Sequence, residues 1–239
     1  MIGDTVMTSR AVRYTCVPAA AAVAIALGCA TAAAQTPPAD IQFWPSISVI
    51  APISHRWEVR ADGLLQVTEN VSRVSRELAR VVVIGKVNER LAAGGGYTWT
   101  RVDDGEGRQS VEHRAVQEID LRITGGTNAV IVSSRTRFEE RRREKDPAMA
   151  VRLRQQTRLD LPLGSRAIRA VVWNEYFYAI NATDWSGRSG SRLMLNFAGI
   201  HIPIARKIAM EPGYLNQTGF VAGRNQLQHV VALFLTTPL

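Results

Sequence analysis

Residues Trp173–Gly199 read WNEYFYAINATDWSGRSGSRLMLNFAG, and the rest of the chain repeats their pattern. An aromatic run of Trp173, Tyr176, Phe177 and Tyr178 gives way to a polar stretch containing Asn181, Asp184, Gly187 and Gly190. Leu193, Leu195 and Phe197 follow, spaced by two. Two strand-like arms around a turn-rich stretch predict a β-hairpin with a loop of several residues at its tip. Aromatic rings at the loop end of an arm suit a strand that crosses a membrane and leaves its rings at the interface.

The same unit recurs on both sides. From Asp40 onward no good amphipathic helix is found; strand-like segments of roughly ten or more residues alternate with turns. Toward the N-terminus these include Ile41–Ile50, Arg56–Thr68, Leu78–Asn88 and Leu91–Val102. The alternation is clearest in the middle. Ile119, Leu121 and Ile123 alternate with Glu118, Asp120 and Arg122. Val130, Val132 and Phe138 share one face of the next segment, and Arg135, Arg137 and Glu139 the other. Val151, Leu153, Leu159 and Leu161 oppose Arg152, Arg154, Arg158 and Asp160. The expected long connections fall near 69–76, 103–109, 140–148, 182–191 and 216–225, and the short ones near 52–55, 88–90, 124–128, 162–166 and 201–205. Glycines 94–96 precede the strand-like Tyr97-Thr98-Trp99, with no helix or lysine, so they read as strand glycines rather than a phosphate loop.

The 239 residues carry a net charge of +8 and an ordinary 46% of hydrophobic residues. A helical membrane protein is richer in apolar residues, whereas a barrel spends alternate positions on a polar interior. Residues 1–34 read as a secretory signal: Arg10 and Arg13, the apolar run 17–27, and Ala32-Ala33-Ala34 before Gln35. The apolar run is too short for a membrane-spanning helix, which needs roughly 20 residues. Cys16 and Cys29 both lie in this segment, so the mature domain expected over 35–239 has no disulfide and no thiolate metal site.

Alternation alone does not distinguish a soluble barrel from a membrane one. Long segments, a secretion signal, clustered aromatics and alternating loop lengths favour the membrane. The expected fold is therefore all-β: a transmembrane antiparallel up-and-down barrel of about 10–12 strands after a cleaved signal peptide. About eleven segments can be counted, but single-chain bacterial barrels usually have an even number, so twelve is favoured.

Several stretches also resemble a known family. Residues 40–65 (DIQFWPSISVIAPISHRWEVRADGLL), the 173–199 stretch with Asn174-Glu175-Tyr176 and Arg192-Leu193, and 213–235 (GYLNQTGFVAGRNQLQHVVALFL) are similar to the bacterial barrel family called domain of unknown function 2490. The resemblance covers Asp40 to Leu235. It implies a signal peptide and an outer-membrane barrel, and no activity. Where that family has an adjoining Asn-His pair, this chain separates Asn225 from His229.

With charges facing inward, the expected interior ladder is Glu118, Asp120, Arg122, Arg135, Arg137, Glu139, Arg152, Arg154, Arg158, Asp160 and Glu175. The expected interface aromatics are Trp44, Trp57, Trp99, Trp173, Tyr176 and Tyr178. Opposite charges on neighbouring strands are expected to pair, because an unpaired buried ion costs several kcal/mol. The first functional expectation is an outer-membrane barrel acting as a small pore, or as a structural or solute-handling protein. Its partners would be outer-membrane lipid and the barrel-assembly machinery, with no nucleic acid, and it would be a monomer. An outer-membrane lipid-modifying hydrolase is the alternative, with His113 as base, Ser110 nearby and Glu112 or Glu118 orienting it; no GxSxG motif supports it. A soluble periplasmic binding barrel is weaker still. No cofactor or metal is expected, since His and Cys lack ligand spacing.

Overall fold

The computed structural model describes residues 40–124, 130–221 and 224–238. The segment read as a signal peptide, and most of the turn expected at 124–128, lie outside them. The described residues form one closed barrel of eleven strands. In order they are β1 (Ile41–Pro52), β2 (Trp57–Thr68), β3 (Arg73–Lys86), β4 (Leu91–Asp103), β5 (Gln109–Thr124) and β6 (Ile131–Arg143). Then come β7 (Met149–Leu163), β8 (Ser165–Ala179), β9 (Gly190–Ala205), β10 (Ile208–Val221) and β11 (Arg224–Pro238). Each strand pairs antiparallel with the next, and β1 closes the ring against β11 in parallel, from Ile41 opposite His229 to Ile50 opposite Pro238.

The favoured count of twelve, and the purely antiparallel wall, are thus corrected. Closure between strands that run the same way admits an odd number.

Most connections are shorter than the sequence suggested. One rim carries 69–72, 104–108, 144–148 and 180–189 (the loop rim), and the other 53–56, 87–90, 164 and 206–207 (the turn rim). The loop expected at 216–225 is mostly strand, because β10 and β11 stay paired out to Val221 and Arg224. The turn expected at His201–Ala205 is the end of β9 despite Pro203. Pairing that begins on one stretch of a hairpin propagates through polar residues, since backbone hydrogen bonds do not depend on side-chain polarity.

The wall sorts side chains by chemistry. Along the middle strands large apolar groups point away from the barrel: Val231 is 55% exposed, Ile119 52% and Val81 50%. Their neighbours point in and are closed off, with Arg137 and Glu139 at 1% and Glu118 at 2%. Charged residues are almost never fully buried unless paired, and these three all have ion-pair partners inside the barrel.

The interior has two halves. Strands β1 and β8–β11 supply an apolar cluster: Trp44, Val171, Trp173, Phe177, Leu195, Phe197, Leu215, Val230 and Ala232. Trp173 stacks on Phe197 at 5.2 Å between centroids, and Phe197 meets Phe234 at 5.2 Å. Strands β2–β8 supply most of the charges, joined by His201 of β9 and Glu211 of β10. Trp44 and Trp173, expected at the membrane interface, are therefore interior residues. Both occupy the inward parity of their strands, and the Trp44 indole N–H is satisfied inside by Gln42 Oε1 at 3.0 Å. Trp57, Trp99, Tyr176 and Tyr178 are not part of this cluster, and Trp57 and Tyr178 are exposed on the outside.

Candidate functional site

The charged half of the interior is built by alternation. A strand shows every second side chain to one face, so runs such as Glu118-Ile119-Asp120 and Arg152-Leu153-Arg154 must put their charges on one side of the wall. Closing the sheet puts that side within the barrel. Residues from many strands then meet across a narrow space.

Glu118 accepts both Nε and Nη2 of Arg137 (3.1 and 2.9 Å) and also bonds Arg60, which reaches it from β2 across two intervening strands. Glu139 holds Arg152 (2.8 and 2.5 Å) and Arg154 (3.0 Å). Arg154 continues to Glu175 at 3.1 and 2.7 Å, and Arg135 lies 3.9 Å from the same carboxylate. Arg158 grips Asp160 and reaches Glu211 on β10. Glu211 also contacts His201 Nδ1 at 2.9 Å, so this histidine is an interior group of β9 and not a turn residue. Chelation of guanidinium by carboxylate in this forked manner is the strongest form of ion pairing available to side chains. Phe177 adds its ring face to Arg154, 4.4 Å from the guanidinium carbon.

Of the eleven residues expected in the ladder, ten lie within the wall on its inward parity. Arg122 shares that parity but is exposed at the end of β5, where its backbone N–H bonds Arg90 O and the residue helps line the cavity at the turn rim. The sequence reading missed Arg60, Asp62, Arg76, Arg80, Glu112, Arg114, Arg141 and Glu211. Arg60 and Asp62 had the alternating signature, and Arg80 the inward parity of β3. Arg76 was assigned to a loop that begins at 69 as expected but ends at 72, with β3 starting at Arg73.

At the turn rim the network opens into a cavity of about 720 Å³ lined by Lys86, Arg90, Asp120, Arg135, Gln156 and Arg158, among others. At the loop rim, Trp185 of the 180–189 connection donates its indole N–H to Ala148 O at 2.9 Å and lies under Arg141 and Arg143, 5.1 and 5.0 Å from its ring.

The histidine weighed as a base faces the other way. His113 is on the outer wall, with Nδ1 against the Tyr97 hydroxyl and Nε2 3.3 Å from Glu144. Glu112 and Glu118 point inside and are held by arginines, so neither can orient it. Tyr214 and His229 make the same cross-strand contact at 2.5 Å on β10 and β11. Among the described residues no group of three His, Cys, Asp or Glu is placed to hold a metal ion.

The family described as Protein of unknown function (DUF2490) matches residues 41–228. The chain belongs to this family. An uncharacterised protein of Methylorubrum extorquens is 33% identical over 230 residues, which cover 94% of this chain and 98% of that one. No solved structure matches. The matched span of this DUF2490 barrel takes in all the ladder strands and stops at Gln228, within β11.

Proposed function

We propose that this DUF2490 chain is an integral β-barrel of the bacterial outer membrane, exported with a cleaved leader. Its packed interior handles small charged solutes and does not conduct ions freely. The observation that carries this reading is the inversion of the wall, with aliphatic side chains outside and ion pairs inside. Water leaves an exposed belt of Val, Ile and Leu unsatisfied, whereas lipid tails match it. A hollow of about 380 Å³ on this outer wall, lined by Pro45, Ile47, Gly63, Leu65, Ala79 and Trp99 among others, has the apolar character of an acyl-chain site. No helix among the described residues is long and apolar enough to cross a membrane, which leaves strands as the crossing elements.

Two tests bear on it. Membrane fractionation and gel migration with and without boiling should give a membrane-bound, heat-modifiable protein; a soluble, heat-insensitive one removes the reading. In planar bilayers the interior braces and the aromatic cluster predict no large steady conductance.

A second reading, a lipid-modifying enzyme, draws on Tyr97, His113 and Glu144, a nucleophile–base–acid order beside an outer-wall hollow. The matching Tyr214–His229 pair bonds no acid among the described residues, and it favours an interfacial belt for both. Altered membrane lipid that reverts with His113→Ala would select the enzyme.

A further inference from the structure

The ion pairs balance nearly everywhere except toward the loop rim. There Arg114 and Arg141 share one carboxylate, Glu112: Arg114 at 2.8 and 3.2 Å, Arg141 through its Nε and, at 3.2 Å, its Nη2. Arg76, on an inward position of β3, feels the charges of Arg114, Glu112, Arg141 and Arg154, the last of which is already held between Glu139 and Glu175. The Arg76 side chain has no ion pair or hydrogen bond to any described residue, and its Nε is buried with no partner. Three guanidinium groups thus face one carboxylate, a local excess of two positive charges.

A second group lacks a partner in the same place. Thr100 is fully buried and its hydroxyl bonds nothing. Thr100 stands opposite Glu112 on β5, one inward position along β4 from Val102, which stands opposite Arg76. A guanidinium and a hydroxyl on adjacent strands therefore sit together without acceptors. A native interior rarely leaves a buried donor unsatisfied, and leaving a buried charge unpaired is costlier still.

We infer that this end of the interior is a binding site for a soluble, doubly charged oxyanion of the phosphate or sulfate class, held by Arg76, Arg114, Arg141 and the Thr100 hydroxyl. A dianion cancels the excess charge and supplies acceptors to both orphaned donors. The planar fork of an arginine suits two oxygens of one tetrahedral anion. The site faces the interior, so the anion comes from solution and not from a lipid headgroup in the wall. The inference holds whether or not the barrel lies in a membrane.

The test uses the full mature chain in detergent, with isothermal titration of sulfate and of phosphate against chloride at matched ionic strength. Saturable binding of the dianions is expected, with Arg76→Gln weakening it about tenfold to a hundredfold, the loss of one charged hydrogen-bonding group. Thr100→Val should weaken it less, and Arg101→Gln, in an outer-wall pair with Glu77, should leave it unchanged. In chloride, Arg76→Gln should melt no lower than the parent, because an unpaired charge is being removed; a lower melting temperature makes Arg76 a structural cation and overturns the inference. Equal responses to sulfate and chloride overturn it too. So does binding of dihexanoyl phosphatidic acid with inorganic phosphate inert, which assigns the site to headgroups.

Discussion

Arg158 of β7 and Glu211 of β10 are joined by two parallel hydrogen bonds, Nη2 to Oε1 at 2.6 Å and Nη1 to Oε2 at 3.0 Å, although two strands separate them in the wall. The pair is a brace across the interior rather than a rung along the sheet. Breaking one side leaves an ion without its partner, so Glu211→Ala is expected to destabilise the barrel by about 3 kcal/mol. Arg158→Met combined with Glu211→Leu should cost less than the sum of the two single losses, with some loss remaining from Asp160 and His201, which give up their contacts to this pair. Thermal unfolding followed by gel migration measures both; additive losses in the double variant would mean that the two residues do not act as a unit.

The outer belt makes a separate prediction. Val81→Arg and Val231→Arg, both on the outward face of mid-wall strands, should each cost about 2–4 kcal/mol in folding into lipid vesicles. Val87→Arg, at the exposed turn rim, should cost almost nothing. Equal tolerance at all three positions would argue for a wall facing water.

Phe197 lies where two glycines leave room. A Cβ on Gly213 would stand 2.5 Å from the Phe197 ring, and one on Gly199 2.4 Å, and the two glycines are paired across β9 and β10. Gly213→Ala should push the ring off its stack with Trp173, at a cost of about 1–3 kcal/mol. Near-ultraviolet circular dichroism and tryptophan emission would register the displaced Trp173–Phe197 pair, and unchanged spectra would count against the packing described.

The 69–72 connection holds Glu69, Asn70 and Val71 all at positive φ, between 54° and 65°. This region suits glycine and asparagine and is hostile to a β-branched side chain. Val71→Gly is expected to stabilise the barrel by roughly 1 kcal/mol, the lower end of the strain at such a residue. Chemical denaturation gives the sign directly.

How far the sequence disclosed this fold can be judged strand by strand. Glu118-Ile119-Asp120 and Arg152-Leu153-Arg154 announced the strand and the gathering of its charges on one face, because period-two alternation is a local property, whereas which face turns inward is decided by the closed wall. Trp44 and Trp173 misled, since an aromatic ring fits a membrane interface and a packed interior equally well. Which it occupies depends on whether neighbouring strands supply apolar partners, as β9–β11 do for Trp173. The strand number was hidden for a related reason: whether β1 meets β11 in parallel is decided by the ring as a whole. Arg76 was lost to a misplaced loop boundary, and Glu211 was not singled out among the apolar residues and proline around it. The pairing of Glu211 with Arg158, 53 positions away, is invisible in either segment alone.

The parallel seam between β1 and β11 has a consequence for topology. A chain that threads a wall an odd number of times leaves by the opposite door from the one it entered. Asp40 is tied to Asn70 at the loop rim, 2.8 Å from its backbone N–H, while β11 ends at the turn rim. In a membrane the two ends of this barrel therefore face different compartments. An epitope placed just ahead of β1 and another placed behind β11 should be protected from externally added protease in opposite ways, a pattern that an even-stranded barrel cannot produce.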